Sequence, residues 1–124
     1  MKIRISENSI RFRLKQQEVK YFMEEGEIKE EISFGFLPMD KLSFVLKASK
    51  SGRFKIIWES NTVILHVPEA KCEQWTNTDL VGFEEDVTTE GQATKSILVE
   101  KDFQCLDGTE ADNEDAYPNP NQFC

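Results

Sequence analysis

The first fourteen residues alternate apolar and charged side chains on either side of a short polar break: Lys2-Ile-Arg-Ile5, then Ser6-Glu-Asn-Ser9, then Ile10-Arg-Phe-Arg-Leu14. Alternation with period two marks a half-buried strand, and Glu7-Asn8 supplies a two-residue turn. In the hairpin this predicts, Met1 faces Leu14, Ile3 faces Phe12 and Ile5 faces Ile10. On the other face Arg4 lies across from Arg11, and Lys2 from Arg13. A slip of one residue would mix the two faces, so the pattern itself specifies the register.

The period then changes. Val19, Phe22 and Met23 are spaced for a helix over 15–25, with Gly26 as its stop and Leu14 and Val19 placed for a hydrophobic staple, although Lys15 is a poor cap. Ile28, Ile32, Phe34 and Phe36 share one parity and predict a strand over 27–36. Leu42, Phe44 and Leu46 predict another over 41–48, after a turn containing Pro38. A second hairpin spans 53–67 around Ser60-Asn61, pairing Phe54 with Val67, Ile56 with Leu65 and Trp58 with Val63. Its other face carries Lys55 with His66 and Ile57 with Ile64. Pro68 suits the first position of a helix over 68–76, which buries Cys72 and Trp75 three residues apart. Residues 84–95 read as a strand end or exposed loop, and Ser96–Phe103 as a strand. No repeat occurs at the roughly 20–50-residue periods of solenoid folds.

These elements predict an α+β fold: an antiparallel sheet of about seven strands, curled or barrel-like, with two short helices. Residues 1–106 form one domain. Residues 107–124, with Asp107, Glu110, Asp112, Glu114 and Asp115 and no cation before Tyr117-Pro-Asn-Pro, form an irregular acidic tail that is either mobile or laid over the surface.

Composition narrows the class. With 124 residues, 39% hydrophobic and nine Phe, the chain can bury one real core without staples. No apolar run approaches the ~18 residues that span a bilayer, and the alternating start is no secretory signal, so a cytoplasmic location is expected. Three cysteines at irregular spacing argue against a disulfide framework. The net charge of −8 repels nucleic acid and anionic membrane on average. Yet residues 1–15 hold Lys2, Arg4, Arg11, Arg13 and Lys15 against the single carboxylate of Glu7.

That local excess is the best candidate site. Like charges set directly across a strand pair repel and call for a counter-charge. One source is an anionic small molecule or acidic protein surface held by Lys2, Arg4, Arg11 and Arg13, with Lys55 and His66 extending the site if the second hairpin lies alongside. Another is the protein itself, through Glu27, Glu30 or Glu31, or through the acidic tail folded back over the face. Metal binding is an alternative: Cys105 and Cys124 supply thiolates, with His66 or Asp107 completing a zinc site, although their spacing matches no common pattern. Cys72 pairs with Trp75 as a core residue rather than a nucleophile. G-x-S-x-G, H-E-x-x-H, the P-loop and G-x-G-x-x-G are all absent. The reading is a non-enzymatic binding or interaction domain without a cofactor, an enzyme of unrecognised chemistry being the remaining alternative.

The opening Met1-Lys-Ile-Arg-Ile…Asn8-Ser-Ile-Arg, with Leu98-Val-Glu-Lys-Asp-Phe…Cys105 and Tyr117-Pro-Asn-Pro…Cys124, resembles a family of small bacterial proteins of unknown function. The resemblance implies a bacterial cytosolic origin and transfers no activity.

Overall fold

In the computed structural model residues 1–88, 94–104 and 109–118 are described, Asp112 by its backbone alone. The first hairpin forms as its alternation dictates. Strands β1 (Lys2–Ser6) and β2 (Ser9–Leu14) pair antiparallel with Lys2 opposite Arg13, Ile3 opposite Phe12 and Arg4 opposite Arg11. Helix α1 (Gln16–Glu25) follows directly. Lys15 is indeed a weak cap, and acids take over its task. The Lys15 backbone N–H donates to Glu18 Oε1 at 2.9 Å. Asp115, from the acidic tail, accepts from Gln16 N–H through its carbonyl at 3.1 Å and from Gln17 N–H through Oδ2 at 2.9 Å. A carboxylate there satisfies orphan donors and complements the helix dipole. Gly26, at φ 79°, ends the helix and donates its N–H to the Phe22 carbonyl at 2.8 Å.

The chain continues through β3 (Glu27–Ser33), β4 (Lys41–Ser49), β5 (Lys55–Glu59), β6 (Thr62–Pro68), α2 (Glu69–Asn77), β7 (Gly82–Thr88), β8 (Thr94–Lys101) and a single turn, α3 (Glu110–Asn113). The second hairpin keeps its expected register, with Lys55 opposite His66 and Ile57 opposite Ile64. The first strand of the middle pair is shorter than its pattern suggested. β3 stops at Ser33, and Phe34 begins a loop closed by its N–H to the Asp40 carbonyl at 2.6 Å.

The α+β class holds, but the single antiparallel sheet of about seven strands does not. Among the described residues, eight strands form two open four-stranded sheets, ordered β1-β2-β8-β7 and β3-β4-β6-β5, and neither closes into a barrel. In each sheet two antiparallel hairpins join through a parallel central pair, β2 with β8 and β4 with β6. The cause lies in the helices. α1 carries the chain from the first sheet to the second, and α2 carries it back, so each sheet takes one hairpin from each half.

The two halves are one unit used twice. Adding 53 to the residue numbers of β1 gives β5, Lys2 becoming Lys55 and Ser6 becoming Glu59. The same shift carries the buried Phe12, Leu14, Val19 and Phe22 onto the buried Leu65, Val67, Cys72 and Trp75. With 53 added to the first member and subtracted from the second, the parallel pairs Ile10–Ile97 and Phe12–Val99 become Val63–Phe44 and Leu65–Leu46. Even the backbone bond from Ser96 N–H to the Asn8 carbonyl (2.9 Å) recurs from Ser43 to Asn61 (3.0 Å). The period exceeds those of solenoid repeats, and the units exchange hairpins rather than stack.

The inner faces of both sheets and the buried sides of both helices share one core. Trp75 is its centre, set edge-on against Phe22 and Phe83 at 6.3 and 5.8 Å, with Nε1 donating to the Val81 carbonyl at 3.1 Å. Burying an indole with its one donor satisfied is worth several kcal/mol, about 3–5 by truncation.

Candidate functional site

Alternation places Ile3, Phe12 and Val99 inward, so Lys2, Arg4, Arg11 and Arg13 stand together on the outer face of the first sheet. Strand β8 lies beside β2 in parallel and sets Leu98 next to Arg11 and Glu100 next to Arg13. Glu100 Oε1 is 2.7 Å from Arg13 Nε and 3.4 Å from Arg11 Nε. Lys2 Nζ lies 2.9 Å from Oδ2 of Asp102, a carboxylate only 4% exposed. That approach lacks hydrogen-bond geometry, so the compensation of Oδ2 is Coulombic. Further across the sheet β7 adds Glu84, which accepts from Ser96 Oγ at 3.1 Å, and Asp86. The outer face thus runs from positive on β1 and β2 to negative on β8 and β7.

The counter-charges differ from those the sequence suggested. Glu27, Glu30 and Glu31 sit on β3 in the other sheet. Glu30 accepts from the Met1 ammonium at 2.9 Å, and Glu31 lies 3.4 Å from both Lys29 and Lys41. Nor do the described contacts of the acidic tail reach the hairpin face, since Asp115 and Ala116 bind the start of α1. Glu100 and Asp102 were missed because nothing local ties residues 100–102 to residues 2–13. Arg4 is exposed and has no ion pair among the described residues.

Lys55 and His66 do not extend this face. They lie on the outer face of the second sheet, because the β5–β6 hairpin joins β4 through β6 rather than the first hairpin. There His66 stands between Lys55 and Lys47, its neighbours on the two adjoining strands. Burial, with Lys47 and Lys55 beside it, lowers its pKa below the ordinary 6.5. At neutral pH the row therefore carries its charge on the two lysines.

Cys72 belongs to the core. Its Sγ lies 3.7 Å from the Val67 carbonyl, and burial, followed by the charge of Glu69, pushes the thiol up to about 12. No thiolate forms at neutral pH, so the position packs rather than attacks. Cys105, Asp107 and Cys124 of the suggested zinc site lie outside the described residues. Among those that are described, no three His, Cys, Asp or Glu side chains converge as metal ligands. No described helix is long and apolar enough to cross a membrane.

Two features escaped the sequence reading. Lys101 points inward, 7% exposed, donating Nζ to the Thr78 carbonyl at 2.7 Å and lying 5.5 Å from the Tyr117 ring centre. Its pKa is lowered by burial, against the pull of Asp79. The second is the tip of the β3–β4 hairpin, where Phe34, Phe36, Leu37 and Met39 are all exposed, Phe36 completely. Phe34 and Met39 also line a cleft of about 490 Å³ with Leu42 and Asn61. The signal was present: the equivalent connection in the second half, Thr89-Glu-Gly-Gln-Ala93, holds no large apolar residue.

No curated protein and no solved structure matches this chain. Its sequence from residue 1 to 121 carries the signature of the Family of unknown function (DUF7009), and the chain belongs to that family.

Proposed function

We propose that the protein is a non-enzymatic binding domain that receives an acidic protein surface on the β1–β2 face of its first sheet. One observation carries this reading. Arg4 and Arg11 oppose each other directly across the hairpin, and the positions equivalent to them in the second half hold Ile57 and Ile64. The same backbone, in the same register, accepts two isoleucines there. The arginine pair is therefore no requirement of the fold, and it costs repulsion that the isoleucine pair avoids. Among the described residues Lys2, Arg11 and Arg13 pair with Asp102 and Glu100 and Arg4 with none, which leaves guanidinium donors for bidentate bonds to an incoming carboxylate.

The test replaces the pair by its own counterpart. In Arg4→Ile/Arg11→Ile the hairpin gains the side chains that the second half already tolerates, so the melting temperature stays equal or rises. Calorimetric titration with an oligoglutamate peptide at low salt shows the expected effect, a loss of affinity of about tenfold or more. Unchanged affinity in the double variant, or no binding by the wild-type protein, contradicts the proposal.

A further inference from the structure

Among the described residues the two open sheets have four edge strands: β1 and β7 in the first, β3 and β5 in the second. An edge is a row of unpaired N–H and C=O groups, and proteins protect it with charges that clash on self-pairing. Three of the four are protected in this way. In antiparallel self-pairing about the strand centre, β1 sets Arg4 against Arg4, β3 sets Glu30 against Glu30, and β7 sets Glu85 against Glu85 with Glu84 against Asp86.

Strand β5 is the exception. Its sequence is Lys55-Ile-Ile-Trp-Glu59. Paired about Ile57 with a second copy, Lys55 meets Glu59 at both ends, Ile56 meets Trp58, and Ile57 meets itself. No like charges oppose, and both ends attract. Neither Lys55 nor Glu59 has an ion pair among the described residues.

The backbone agrees with this register. Ser60 and Asn61, with φ of 50° and 58°, form a two-residue turn of the kind whose flanking residues, Glu59 and Thr62, are a hydrogen-bonded pair. Pairing alternates along an antiparallel ladder, so Lys55, Ile57 and Glu59 bond inward to β6. Ile56 and Trp58 then direct their N–H and C=O groups outward. These are the residues that face one another across the self-paired edge, where two such pairs would make four backbone hydrogen bonds. Among the described residues, no strand pairs with this edge. Trp58, at 62% exposed, is the largest apolar side chain along it.

We infer that β5 is a homodimerisation edge, joining the second sheets of two copies into one eight-stranded sheet through Lys55–Glu59 pairs. The two-fold axis uses up both edges at once, so the assembly closes as a dimer and does not extend into fibres. This inference is independent of the binding role of the first sheet, whose arginines lie on other strands.

Sedimentation velocity from about 10 µM to about 1 mM, the range in which small interfaces associate, tests it. The wild-type protein passes from monomer to dimer as concentration rises. The emission of Trp58 shifts to the blue, Trp75 being already buried. Lys55→Glu and Glu59→Lys each set like charges together and weaken the dimer about tenfold or more. Mixing the two variants restores association as a heterodimer, and Lys55→Glu/Glu59→Lys in one chain restores it as a homodimer. Circular dichroism confirms that each variant folds. A wild-type protein that stays monomeric throughout overturns the inference. So do single variants that dimerise like wild type, or a mixture that fails to associate.

Discussion

Trp75 and Arg4 mark the two ends of what a residue can show. Trp75 is buried for the reason its spacing from Cys72 suggested, and its role is energetic. Trp75→Ala opens a cavity against Phe22 and Phe83 and removes one of the two hydrogen bonds to the Val81 carbonyl, which keeps that from the Lys101 N–H. Urea denaturation should register a loss of about 3–5 kcal/mol, with Trp75→Phe recovering most of the packing but not the hydrogen bond. A loss under about 1 kcal/mol would mean that the core does not centre there. Lys101 was illegible because its inward direction follows from the pleat of β8, while its partners Thr78 and Tyr117 come from distant segments. The cations were legible as a face, but the pairing of Arg11 and Arg13 with Glu100 and of Lys2 with Asp102 was not.

At the scale of elements, the register of both hairpins was readable, although the expected end pairs Met1–Leu14 and Phe54–Val67 lie beyond the observed ladders. Their apolar alternation and two-residue turns are local, and local information sufficed. The parallel pairs β2–β8 and β4–β6 were not, since no turn links those strands. That gap explains why Lys55 and His66 were expected beside Arg11 and Arg13 and are found on another sheet. It also gives His66 a measurable consequence. Its folded pKa is lowered, so the folded state binds the imidazole proton less readily than the unfolded state does. Stability therefore falls as pH drops through 6.5 toward the lower folded value, and changes no further below it. Titrating the single histidine by NMR should give a pKa below 6.5 that rises in Lys47→Ser. A value at or above 6.5 in the wild-type protein would show that the lysine row does not act on it.

The whole molecule is a duplication whose two copies trade hairpins, and the exchange makes each half dependent on the other. Each sheet is half-built without its partner unit, and Trp75 and Phe22 touch across the join. Residues 1–52 and 53–124, prepared separately, are expected to be unfolded and to regain cooperative structure only when mixed. A half that folds alone would refute that dependence. The duplication was hidden in the sequence because few identities, such as Lys2-Ile3 with Lys55-Ile56 and Asn8 with Asn61, survive among equivalent positions. Its value lies in the differences. Where the halves agree, as at Phe12 and Leu65, the fold sets the residue. Where they differ in kind, as at Arg4 and Ile57, the fold does not, and the second hairpin becomes an internal control for the first. Amide chemical-shift mapping with an oligoglutamate peptide uses that control directly. The account predicts perturbations grouped on Lys2–Ser6 and Ser9–Arg13, with Lys55–Glu59 and Thr62–Val67 nearly unmoved; equal shifts on both hairpins, or none on the first, would contradict it.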